Sequence, residues 1–125
     1  MEDLTMKRIA ALLTVFAMIA VIGALYVQAA NEGKWTGEVI DVACHSSKGA
    51  KGAGHGECGA KCVKEGLPVG LLVGDTTYLL ISSDHKPLNA TLAEHVGHTV
   101  DVTGEKYESP GANVIVVKDW KMAAK

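Results

Sequence analysis

A mainly β domain closed into a small barrel, preceded by one hydrophobic helix, is the fold class that three observations predict. Strand-like stretches rich in β-branched residues recur five times, one short helical pattern sits between the third and the fourth, and an uncharged N-terminal run precedes them all. The chain of 125 residues is 48% hydrophobic and 21% charged with a net charge of -2, which is a globular composition.

The N-terminal run comes first. Lys7 and Arg8 precede an uncharged stretch from Ile9 to Val27, and Val27-Gln28-Ala29 then places small residues where a signal peptidase cuts. Its 19 residues also approach the roughly 20 that span a bilayer. Residues 1–29 are therefore expected to be a signal peptide or an N-terminal membrane anchor. The rest of the chain is expected to be exported, periplasmic or extracytoplasmic, touching the membrane only through residues 9–27 if these stay uncleaved. A linker is expected at 30–34, one folded domain at 35–121 and a tail at 122–125.

Beyond Ala29 there are 10 Lys and Arg against 12 Asp and Glu, and Trp35, Tyr78, Tyr107 and Trp120 are the only aromatics. No basic, aromatic-studded face for nucleic acid follows from this. A domain of this size holds one modest core, to which a metal or crosslink would add usefully.

"KWTGEVIDVAC" reads as the first strand, with Ile40, Val42 and Cys44 on one face by period two and Gly37 suited to a bulge. The next twenty residues carry five glycines and few large apolar groups, so they form a surface excursion. "LPVGLLVGD" and "TTYLLISSD" are strands two and three, joined at Gly74-Asp75. Asn89 is placed to cap a short helix from Ala90 to Val96 that stops at Gly97. "HTVDVTGEKY" alternates Val100 and Val102 against Thr99, Asp101 and Thr103, and a turn at Ser109 to Asn113 leads to "VIVVKDW". Three strands, a helix and two strands is the order of an OB-fold, a five-stranded Greek-key barrel. Here a Cys/His-rich insertion, residues 44–66, separates strands one and two.

All three cysteines fall in that insertion. If "HGECGAKCVKEG" is helical, His55, Cys58 and Cys62 fall at i, i+3 and i+7 on one face, and Cys44 reaches it across the flexible loop. Cys44, His55, Cys58 and Cys62 are thus the candidate ligands of one metal ion. Zinc suits a closed Cys3His set, whereas Cu(I) favours thiolates in low coordination number. The rival is a disulfide from Cys44 to Cys58 or Cys62 with one thiol left over, because Cys58 and Cys62 on one helix have parallel Cβ vectors. His45 is expected to be solvated, and His85, His95 and His98 to be ordinary surface or helix-end residues. Haem attachment is disfavoured, since no Cys-x2-Cys-His occurs.

The segments "WTGEVIDVAC", "HGECGAKCVKEGLPVGLL" and "HVGHTVDVTGE" resemble a group of small, exported, largely uncharacterised bacterial proteins with an OB-like barrel, over most of Trp35 to Val117. The resemblance implies the fold and the co-occurrence of the cysteines, and no activity. The expected function is a non-catalytic, exported metal-binding domain. The alternative is an accessory subunit that meets a protein partner in a membrane-associated or periplasmic complex. A thiol-redox enzyme ranks below both, because neither Cys-x2-Cys nor a paired-carboxylate or Ser/His/Asp site accompanies the thiols.

Overall fold

The computed structural model describes residues 1–124; the side chains of Leu25 and of residues 27–30, on which the expected cleavage site falls, lie outside the described residues. Contacts divide the chain into two units, Met1–Asn31 and Glu32–Lys125. The first is a single helix, α1 (Glu2–Asn31), whose apolar stretch Glu2–Ala24 is long and apolar enough to cross a membrane or to serve as a signal sequence.

The second unit is a closed five-stranded barrel. Its strands are β1 (Glu32–Asp41), β2 (Val69–Val73), β3 (Thr76–Ser82), β4 (Thr99–Glu108) and β5 (Asn113–Met122). They pair in the order β1-β2-β3-β5-β4, and β4 returns to β1. Every pairing is antiparallel except β3 with β5, which is parallel, and this is an OB-like arrangement. Residues 32–34, expected to be linker, pair with β4, and Met122, expected in the tail, pairs with Val100.

Alternation builds the core. Val100 and Val102 are fully buried while Thr99 and Thr103 are exposed, and Val39, Leu71, Tyr78, Leu80, Ile115 and Val117 enter the same cluster. Gly37 acts through close approach: a Cβ there would lie 2.5 Å from the carbonyl oxygen of Leu72 and 2.9 Å from Cγ of Leu71. The bulge expected at Gly37 occurs instead at Thr103/Gly104, where β4 shifts register against β5.

Two expectations are corrected. The first strand ends at Asp41, so Val42 and Cys44 belong to α2 (Val42–Lys48) and do not continue the strand face. The physical reason is the Asp41 carboxylate, whose Oδ1 accepts from the backbone N–H of Ala43 at 3.0 Å and of Cys44 at 3.3 Å and so starts a helix. Asn89 is not a cap either: the short helix α4 is Asn89–Leu92, a 3-10 turn follows at Ala93–His95, and Gly97 ends the element at φ 86°. The Asn89 amide instead donates to the carbonyls of Val63 at 2.8 Å and Leu67 at 2.7 Å, tying the end of the insertion to the barrel.

Candidate metal centre

The insertion folds as α2, a 3-10 turn at Ala53–His55, and α3 (Gly56–Lys64). Gly49, at φ 68°, closes α2 with its N–H on the carbonyls of Cys44 and His45. His45, expected to be solvated, is half-buried, with Nδ1 3.1 Å from the Ala50 carbonyl oxygen, so it helps hold the turn after α2. The Glu38 carboxylate accepts from the N–H of Gly52, which pins the loop to β1. These bonds return the chain to β1 just before His55.

His55 occupies the cap position of α3 with helical φ and ψ but makes no capping bond with its side chain. Its ring lies beside the buried Gly59, where a Cβ would stand 3.4 Å from Nε2. Below it, α3 packs on β1 and on the Ala93–His95 turn, burying Val63 against Leu92, Ala93 and Val96.

Asp41 is the centre of the site and the residue that sequence reading missed. It is fully buried, and while Oδ1 caps α2, Oδ2 has no hydrogen-bond partner among the described residues. His55 Nε2 is also buried and, among the described residues, unpartnered, 3.9 Å from that oxygen. That separation is too long for a hydrogen bond. One ligand atom from each of Asp41, Cys44 and His55 lies within 4.8 Å of the others.

The thiols respond to this carboxylate. The Asp41 carboxylate beside the thiol, followed by burial, pushes the Cys44 pKa up to about 11. Cys62 is also raised, by burial first and then by the charge of Asp41. Of the four expected ligands, Cys44 and His55 thus meet in one cluster, and Cys62 is half-buried but not a member of it. Cys58 is exposed and stands outside.

Helical register explains the division. The buried line of α3 runs through Gly59 and Val63. Cys62 sits at the edge of that line, and Cys58 lies about 40° farther round toward solvent. All three cysteines are free thiols, so neither expected disulfide is present.

A sequence signal for Asp41 did exist. An aspartate two and three residues before Ala43 and Cys44 is an N-cap pattern, which holds the carboxylate beside the third residue of the helix it starts. Comparison of the chain with family models, with curated proteins and with solved structures finds no match.

Proposed function

We propose that this chain is an exported, non-catalytic metal-binding protein, with Asp41, Cys44 and His55 as ligands of one zinc ion and Cys62 positioned to complete a fourth. The observation that carries this reading is the pair of buried, unpartnered atoms, Asp41 Oδ2 and His55 Nε2, 3.9 Å apart beside a thiol. A buried carboxylate oxygen without a partner is costly, and buried charges are ordinarily paired or coordinate a metal. A cation between these atoms would satisfy both.

The dimensions are compatible. Zinc bonds of about 2.0–2.3 Å at tetrahedral angles set ligand atoms about 3.3–3.8 Å apart, so a small contraction of this cluster suffices. The carboxylate favours zinc over Cu(I), which selects soft thiolate and thioether ligands. Lys7, Arg8 and the apolar helix support export, where α1 serves as signal or anchor.

The test is metal analysis of the full chain purified in detergent under reducing conditions. One zinc per chain is expected, lost in Asp41→Asn and in Cys44→Ser, while Cys58→Ser retains it. Cell fractionation, with the protein recovered outside the cytoplasm, tests export separately.

A further inference from the structure

Four side chains that the zinc reading leaves unused gather where β4 begins and β5 ends. His95 lies in the 3-10 turn after α4, His98 just before β4, and Trp120 and Met122 on the last residues of β5. Met122 pairs with Val100 and Trp120 with Val102, so both side chains stand on the face that the buried valines occupy on β4. The centroid of the half-buried His95 ring is 4.9 Å from that of Trp120 and 5.8 Å from that of His98, at interplanar angles of 60° and 62°. His95 Nδ1 is buried and has no hydrogen-bond partner among the described residues. Buried polar atoms are ordinarily paired, so this nitrogen points to a ligand. His98 and Met122 line one cavity of about 580 Å³, and the rest of its wall, Thr99, Ala123 and Ala124, carries no charge.

We propose that His95, His98 and Met122 are the ligands of one Cu(I) ion, a second metal site separate from Asp41, Cys44 and His55. Two imidazoles that share an ion each place a nitrogen about 2.0 Å from it, and the ring centroid lies about 1.2 Å farther out. Their centroids then stand about 5.2 Å apart at a tetrahedral angle and about 6.4 Å apart on a line. The observed 5.8 Å falls between these limits, on the open side that suits an ion of low coordination number. Met122 supplies a thioether, the soft donor that selects Cu(I), and imidazole suits copper as well. No carboxylate or thiolate belongs to this set, so its donors are neutral and match a singly charged ion better than a doubly charged one. The two centres thus divide by softness, with the carboxylate at the zinc site and the thioether here. Trp120 packs on His95, where it is placed to report the arrival of the ion.

The experiment titrates the full chain in detergent with Cu(I), kept reduced by ascorbate, and follows the methyl resonances of its four methionines. Met1, Met6 and Met18 belong to the first unit, so Met122 is the only methionine of the barrel unit, and Met122→Leu assigns its signal. Thiolates also take Cu(I), so the titration continues past the three equivalents that Cys44, Cys58 and Cys62 could each bind. The expected result is a saturable shift of the Met122 methyl, with Met6 and Met18 unmoved and tryptophan fluorescence quenched in step. In a chain with all three cysteines changed to serine, one Cu(I) should remain bound. Adding His98→Ala or Met122→Leu, both at exposed positions, should abolish that uptake. A Met122 methyl that stays in place in the parent chain at saturating Cu(I) overturns this inference, whether or not the serine variant folds. Uptake that survives both His98→Ala and Met122→Leu overturns it too. Either result leaves the zinc site standing, while a chain that shifts the Met122 methyl but takes up no zinc sinks the zinc reading and leaves this one.

Discussion

A methyl group added to Gly59 would stand 3.2 Å from Cδ2 and 3.4 Å from Nε2 of His55, and 2.5 Å from Cγ1 of Val96. The absence of a side chain there lets the imidazole lie flush with α3 while Val96 closes the other side. Gly59→Ala gains helix propensity of about 1 kcal/mol but crowds two neighbours, and overpacking a tight core costs about 1–3 kcal/mol. The net expectation is a destabilisation of about 1 kcal/mol. Zinc should also bind more weakly, because the His55 ring is pushed from its place. Thermal denaturation and chelator competition on the same protein would separate the two effects.

Asn89 makes the second prediction. Its amide donates to two carbonyls at the end of the insertion, Val63 and Leu67, from the start of α4. Asn89→Ala removes both bonds and should cost about 1–3 kcal/mol. Asn89→Asp should be no better, since it sets an acceptor against two acceptors. A lowered urea midpoint with an unchanged slope is the expected signature. An unchanged midpoint would mean that the insertion is held by α3 packing alone.

The barrel was legible because its strands carry their signals locally. Val100 and Val102 announce an inward face whatever the rest of the chain does, and Gly97 marks the stop before them. The site was legible only in part. Asp41 belongs to a strand by its neighbours and to a helix by its side chain, and the helix claimed Cys44. Asn89 has the composition of a cap, yet its amide found tertiary partners. Cys58 and Cys62 differ in burial because the core runs along Gly59 and Val63, and that choice is made by Val96 and Leu92, more than 25 residues farther on. Local spacing carries none of that information.

Thiol reactivity gives the third prediction. With no metal added, alkylation at pH 8 should label the exposed Cys58 first, while Cys44, pushed up to about 11 by the neighbouring Asp41 carboxylate and by burial, reacts last. A thiol whose folded pKa is raised contributes stability that is complete below its ordinary value of 9.0 and is lost as pH climbs toward about 11. Asp41→Asn should therefore speed Cys44 labelling and flatten the fall in stability over that window. Mass spectrometry of timed alkylations reads the first effect and denaturation at stepped pH the second.

The last prediction concerns the far end of β4, away from the cysteines. The Tyr78 hydroxyl, on β3, donates to Glu108 Oε1 at 2.5 Å, and Lys106 reaches the same carboxylate at 3.4 Å. The hydrogen bond from Tyr78, ahead of the charge of Lys106, holds Glu108 below the ordinary carboxylate range, while the bond to Glu108 and then burial raise the phenol. A depressed carboxylate contributes stability above its ordinary pKa, and that contribution is lost as pH falls through the lowered value. Tyr78→Phe keeps the buried ring and removes only the bond, so near neutral pH it should cost about 1 kcal/mol, toward the low end because the carboxylate is half exposed. The difference between Tyr78→Phe and the parent should shrink as pH drops below the ordinary glutamate value of 4.5 and Glu108 gains its proton. A difference that stays constant from pH 7 down to pH 3 would show that the phenol acts through packing and not through this hydrogen bond.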